Sequence, residues 1–330
     1  MVIEARHNFP RFPSTGSFKS TLVKQCLEHQ NILSGIGGLF KLSIPLLKIL
    51  PTNSGLRIKL GFFDENTSET SHALPSPEPV ENIHDPQLTI FPGCLARHLK
   101  PEITSGIAEL LSLFGIDKIS IPQEQVCCGM ATHSCGDIET ARKMARKNIS
   151  AFGNNNLPII VPCASCLTQL KNYPILLNDD EEWRSPAEEF ATRVSDLNSY
   201  LQAETTLPAT LQIKEKKGKT RVLYHVPCHA RHQGLTGNAT EALLKNQPDI
   251  ELIDLPNGPH CCGFGGLFNL ACHDLSKRIA SGLINDIITA DPDVVVTNCS
   301  GCLIQLHQQL SARGSKIKAQ HLVSFLTGHE

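Results

Sequence analysis

Ten cysteines carry the chemistry available to this 330-residue chain, and they fall into two matching sets of five. Each set opens with one cysteine, Cys94 or Cys228, followed by 32 residues and then a Cys-Cys-Gly triplet, Cys127-Cys128-Gly129 or Cys261-Cys262-Gly263. After gaps of 34 and 36 residues each set closes on a Cys-x-x-Cys, Cys163-Ala-Ser-Cys166-Leu-Thr-Gln-Leu170 and Cys299-Ser-Gly-Cys302-Leu-Ile-Gln-Leu306. Clustered thiols in an intracellular chain serve more often as metal ligands or catalytic groups than as disulfides.

The spacing narrows the chemistry further. Cysteines three apart in the first turn of a helix point to one side, and the free N–H groups and positive dipole end there favour thiolates. Adjacent cysteines cannot share a face in a regular helix or strand, so the doublet implies a turn. Gly129 and Gly263 permit the positive φ and close approach that such a turn requires. Five thiolates are one more than a tetrahedral zinc ion or an ordinary cubane takes. Each set therefore overfills a cubane with a spare thiol, or holds an iron-sulfur assembly with a bridging thiolate. Single zinc ions, a redox-active vicinal disulfide and a metal-free structural role are the other readings.

Positioning falls to alternating elements. Runs rich in Val and Ile stand just before the opening and closing cysteines: LTIF before Cys94, PIIVP before Cys163, RVLYHV before Cys228 and DVVVTN before Cys299. Apolar residues at helical spacing lie between them, over 139–152 and 275–289. Alternation of this kind predicts parallel sheets with right-handed crossovers, and the carboxyl ends of their strands share one rim where ligands bind. The expected fold is α/β, two similar cysteine-rich domains with parallel sheets preceded by a helical N-terminal arm. The expected divisions are an arm over 1–61, an acidic Pro- and Ser-rich linker over 62–87, a first domain over 88–212 and a second over 220–330, with a polar connector at 212–221.

Composition limits what else the chain could be. At 41% hydrophobic residues it can bury two ordinary cores, and a net charge of -2 offers no basic surface for nucleic acid. No secretory signal and no run of 18 apolar residues is present, which predicts a cytoplasmic location. The segment GIGGLFKLSIPLLKIL reads as an arm packed on its own domain or a partner, or as a peripheral contact on the inner face of a membrane. Cys26, Cys135 and Cys272 have no counterpart in the repeat and read as small buried or semi-buried apolar residues. Arg97, His98, Arg231 and His232 follow the opening cysteines, either as groups that tune a negatively charged centre or as solvated side chains. Gly265 and Gly266 read as packing glycines, since no phosphate-binding fingerprint accompanies them.

The doubled pattern resembles the cysteine-rich CCG domain found in tandem in the heterodisulfide reductase B subunit and its relatives. The second unit, HVPCHARH through LPNGPHCCGFGGLFNL to NCSGCLIQL, is especially similar to the glycolate oxidase iron-sulfur subunit. The resemblance implies two iron-sulfur clusters of the [4Fe-4S] type. Cys94, Cys127, Cys128, Cys163 and Cys166 would hold one, and Cys228, Cys261, Cys262, Cys299 and Cys302 the other. It also implies a multi-chain oxidoreductase in which a flavoprotein dehydrogenase subunit oxidises a 2-hydroxy acid such as glycolate or lactate, and these clusters carry its electrons toward a quinone or a ferredoxin-like protein. The alternative is a heterodisulfide reductase-like subunit that cleaves a disulfide at a CCG-bound cluster. A zinc-bound or metal-free interaction protein is a third class. The ferredoxin-like Cys-x-x-Cys run of the glycolate oxidase subunit does not occur here, so the usual cubane relay is supplied by another chain, is dispensable, or has been lost with a shortened reading frame.

Overall fold

The computed structural model describes residues 85–153, 155–204, 219–232, 234 and 238–328. The arm over 1–61, Cys26, nearly all of the linker and most of the connector lie outside the described residues.

Two four-stranded sheets are built to one plan. The first contains β1 (Leu88–Ile90), β2 (Ile119–Ser120), β3 (Ile159–Val161) and β4 (Val194–Asp196) in the order β2-β1-β3-β4. The second contains β5 (Thr220–Tyr224), β6 (Ile250–Ile253), β7 (Val294–Thr297) and β8 (Lys318–His321) in the order β6-β5-β7-β8. Every pairing is parallel, with Thr89 opposite Ile159 in one sheet and Val222 opposite Val294 in the other. The four strands expected before the cysteines are the four central ones. In both sheets the chain order reverses between the central pair, which places the switch point of an open α/β sheet there. Cys94 and Cys163 follow β1 and β3, and Cys228 and Cys299 follow β5 and β7, so all four leave the carboxyl rim at a switch point.

Local chemistry accounts for the helices that matter to the site. In the first half α1 (Cys94–His98), α2 (Pro101–Leu113), α3 (Met130–Ser134), α4 (Ile138–Phe152), α5 (Ala164–Lys171), α6 (Tyr173–Leu176), α7 (Arg184–Arg193) and α8 (Leu197–Glu204) follow in order. Asp137 caps α4 by accepting the Thr140 N–H, and Ala141, Met144, Ala145, Asn148, Ile149 and Phe152 form its buried stripe. On its outer face Arg142 and Arg146 pair with Asp179 and Asp180. In the second half α9 (Cys228–His232), α10 (Asn238–Lys245), α11 (Phe268–Ala271), α12 (His273–Ala290), α13 (Ser300–Ala312) and α14 (Leu322–Thr327) take the corresponding places. The helical patterns expected over 139–152 and 275–289 are α4 and α12.

The halves exchange their last helices. α14 packs on α2 of the first half, and α8 packs on α10 of the second. Leu322, Val323 and Leu326 on α14 are fully buried with Ile103, Ile107 and Leu111 on α2, each worth about 1.5–3 kcal/mol by apolar burial. Both cores draw residues from both halves, so the two carboxyl rims face each other across one shared interior. Among the described residues no helix is long and apolar enough to cross a membrane.

Candidate metal centres

Each closing Cys-x-x-Cys straddles a helix start. Cys163 and Cys299 are the N-cap residues of α5 and α13, in extended backbone, while Cys166 and Cys302 lie in the first turn. Each doublet ends in a left-handed glycine, Gly129 at φ 86° and Gly263 at φ 78°, the turn expected from Cys-Cys-Gly. These turns are braced differently. In the first half Asn148 accepts the Val126 N–H at 2.8 Å and donates to the Cys127 carbonyl at 3.1 Å and to Tyr173 Oη at 2.9 Å. The Tyr173 hydroxyl donates in turn to the Cys128 carbonyl at 3.0 Å. In the second half Ser276 donates to the Gly263 carbonyl at 2.7 Å and is held by Asn269 and Gln305.

The thiols of each set converge. Cys94 Sγ lies 3.6 Å from Cys127 Sγ, and Cys262 Sγ lies 3.1 Å from Cys302 Sγ. Cys127 is lowered well below the ordinary thiol range by hydrogen bonds from Cys128 and Cys94, whereas its neighbours Cys94 and Cys128 are raised by the same contacts and by burial. Cys163 is likewise lowered by Cys166 and by Cys299, a residue of the other set. Cys299 is pushed up to about 12 by Cys163 first and by burial next. At the far end Cys261 falls to about 2 through hydrogen bonds from Cys228 and Cys262, and Cys262 rises to about 12. Each thiol's ionisation is thus set by its neighbours within its own set, and Cys163 and Cys299 influence each other across the two sets.

Thiols packed this closely cannot all ionise against one another. Iron ions would supply the missing positive charge, and cysteine thiolate is the ligand that iron-sulfur assemblies take. The donor set therefore fits the clusters that the sequence pattern implies. A further donor stands beside it: His225 is 1% exposed, and neither ring nitrogen has a hydrogen-bond partner. A ring nitrogen of His225 and the sulfurs of Cys262 and Cys302 all lie within 4.8 Å of one another. Burial lowers His225 to about 4.

Of the side chains after the opening cysteines, the two arginines fasten loops, whereas His232 is solvated. Arg97 donates to the Gln125 carbonyl at 3.4 Å, to the Gln123 carbonyl at 3.1 Å and to Gln123 Oε1 at 2.7 Å. Arg231 donates to the Pro259 carbonyl at 3.2 Å. Gln125 and Pro259 each stand two residues before a doublet, so both arginines fasten the loop that delivers it. His98 is half-buried and lowered by burial and by Arg97, while His232 is exposed. Gly266 packs close: a side chain there would meet Ala131 Cα and Ser134 Oγ at 3.3 Å, so the loops after the two doublets rest on each other. Cys135 is buried and donates to the Thr132 carbonyl at 3.1 Å, and Cys272 is half-buried at the N-cap of α12.

Sequence reasoning gave no role to Asn148, Ser165, His225, Gln169 or Gln305. Gln169 and Gln305 recur three places after each Cys-x-x-Cys, a signal present in the repeat, and both brace the loop after the doublet, Gln169 through His133 and Gln305 through Asn269. His225 was visible only as a mismatch, since Phe91 holds its place in the first unit.

Two parallel α/β halves that turn five cysteines each toward a common interior define a duplicated cysteine-cluster protein. A cysteine-rich domain model, CCG, matches residues 88–171 and 222–307, and the chain belongs to that family. It is similar to lactate utilization protein A of Geobacillus kaustophilus, 27% identical over 242 residues that span 73% of this chain and 98% of the relative. The protein of the same name from an Exiguobacterium species is 29% identical over 245 residues, 73% of this chain and 97% of the relative. That of Macrococcus caseolyticus is 28% identical over 242 residues, 73% of this chain and 96% of the relative.

Proposed function

We propose that this chain is an iron-sulfur electron-transfer subunit of an oxidoreductase acting on lactate or a related 2-hydroxy acid. Cys94, Cys127, Cys128, Cys163 and Cys166 hold one four-iron cluster, and Cys228, Cys261, Cys262, Cys299 and Cys302 hold the other, within domains spanning 88–212 and 220–330. The observation that carries this reading is the convergence of each set at a carboxyl rim, with Cys94 Sγ 3.6 Å from Cys127 Sγ and Cys262 Sγ 3.1 Å from Cys302 Sγ, and the two sets meeting where Ser165 Oγ lies 2.9 Å from Cys299 Sγ. Bound there, iron-sulfur clusters supply one-electron transfer. The chain's own residues position the ligands, exclude water and set the charge around them. Cys261 is exposed, whereas its counterpart Cys127 is buried, so the second set is the end open to a redox partner. The names of the relatives support lactate as substrate; hydride removal belongs to a flavoprotein partner, since flavin supplies that chemistry. Twelve free cysteines among the described residues suit the reducing cytoplasm.

The test is iron and acid-labile sulfide content after anaerobic purification, followed by reduction of the bound iron with lactate and the flavoprotein. About eight of each per chain is the expected content, with reduction requiring both lactate and the partner. The exposed Cys261 also favours a second reading, disulfide reduction at the second set. Turnover of a disulfide with reduced viologen and no partner would establish it and displace the first.

A further inference from the structure

The two units agree cysteine for cysteine, yet they differ three residues before the opening cysteine. The first has Phe91 there and the second has His225. Phe91 is fully buried and packs its ring on Phe152 at a centroid distance of 5.9 Å, as hydrocarbon should. His225 occupies the corresponding interior place with a polar ring. Its main-chain N–H donates to the Val296 carbonyl at 2.8 Å, which ties the backbone to β7 and holds the side chain at the carboxyl rim.

A neutral imidazole carries one N–H and one lone pair, and native interiors rarely leave such groups unmet. Both nitrogens of His225 lack a protein partner. The nearest chemistry is the second cysteine set, with one ring nitrogen and the sulfurs of Cys262 and Cys302 mutually within 4.8 Å. Three donors of two kinds at that separation can share one metal centre, and imidazole is a good ligand for iron. Hydrogen bonding within the protein leaves both nitrogens of this ring unmet.

We propose that His225 supplies a nitrogen ligand to the metal centre of the second set, which becomes a mixed cysteine-histidine centre while the first remains all-cysteine. The inference rests on reading the second set as an iron-sulfur site. With five thiolates present, one more than a cubane takes, the His225 nitrogen fills an iron position that one of them would otherwise hold, and a neutral imidazole in place of a thiolate makes the centre less negative and raises its potential. Duplication has thus been followed by divergence: the first set becomes the lower-potential centre and the second, with its exposed Cys261, the higher-potential end.

The experiment compares the full-length chain, purified anaerobically with natural histidine or with ¹⁵N-histidine, by pulsed electron paramagnetic resonance. One of two centres should show the strong coupling of a directly bound imidazole nitrogen, and the pattern should change on labelling. His225→Gln should lose the coupling, whereas His229→Gln, beside Ser165 Oγ at 3.1 Å, and His321→Gln, buried at the end of β8, should keep it. If His225→Gln does not retain iron, labelled wild type together with the other two variants still decides the assignment. Iron and sulfide present without nitrogen coupling, or a coupling that survives His225→Gln, overturns the inference alone. Protein that takes up no iron overturns the underlying reading and this inference with it.

Discussion

Ser165 of the first half reaches into the second, with its Oγ 2.9 Å from Cys299 Sγ and 3.1 Å from His229 Nδ1. Bound to iron as proposed, Cys299 would be a thiolate that can only accept, so the Ser165 hydroxyl would donate to it and His229 Nδ1–H would donate to Ser165. Gly301 takes the place of Ser165 in the other closing motif, so no hydroxyl is returned. Hydrogen bonds to a cluster's sulfurs raise its potential. Ser165→Ala should lower the potential of the second centre by on the order of 50 mV, since about 1.4 kcal/mol corresponds to 59 mV for one electron. A redox titration that resolves the two centres checks this, and an equal shift in both would count against it.

Gly263 and Gly129 share a backbone conformation but not a setting. A Cβ at Gly263 would lie 2.5 Å from the Ser276 carbonyl oxygen, while the nearest atom to one at Gly129 is 3.4 Å away. Gly129→Ala should therefore cost only the left-handed penalty, about 1–2 kcal/mol, and keep its iron. Gly263→Ala must also displace the start of α12, and should lose roughly half of the eight iron expected for two four-iron clusters. Iron content beside urea denaturation separates the two variants.

The sequence exposed the repeat because metal ligation fixes residue type and spacing together, and a duplicated spacing is hard to mistake. The central strands were visible for a similar reason: they are buried on both faces and read as continuous runs such as Val294-Val295-Val296. The edge strands were not. Ile119–Ser120 is two residues long, and β8 reads Lys-Ala-Gln-His, too short or too polar to show a period. The exchange of α8 and α14 between halves was equally hidden, since it is a tertiary choice among apolar faces. Contacts between the sets, such as Ser165 with Cys299, are tertiary too, so the two five-cysteine sets were legible and their meeting was not.

Asn148 is a fully buried side chain with three partners around the first doublet. Asn148→Ala strands the Val126 N–H and the Cys127 carbonyl, and buried unmet groups cost about 1–3 kcal/mol each. The expected loss is about 3 kcal/mol in urea denaturation, with faster release of iron to a chelator. Tyr173→Phe removes a single donor to the Cys128 carbonyl and should cost about 1 kcal/mol. Equal losses in the two variants would show that Asn148 does not organise the turn.

Asp196 and His321 hold equivalent places at the ends of β4 and β8, yet only Asp196 buries a carboxyl there. Its Oδ2 accepts the Ser199 N–H at 3.0 Å and hydroxyl at 3.2 Å, while Oδ1 is buried without a partner. Burial raises this carboxyl above its ordinary range, against the opposing hydrogen bonds from Ser199 and Asn198. A folded-state value above the unfolded one, about 3.9, means that the folded chain binds the proton more tightly. The contribution to stability is then fully present below the unfolded value and is lost as pH rises through the folded one. Asp196→Asn keeps an oxygen for Ser199 without a charge to bury, so it should be more stable than wild type at neutral pH. Its advantage should shrink as the pH is lowered. Urea midpoints of both proteins at pH 8 and at mildly acidic pH test this, and an advantage that grows toward acid would show that Asp196 is held as a stabilised carboxylate.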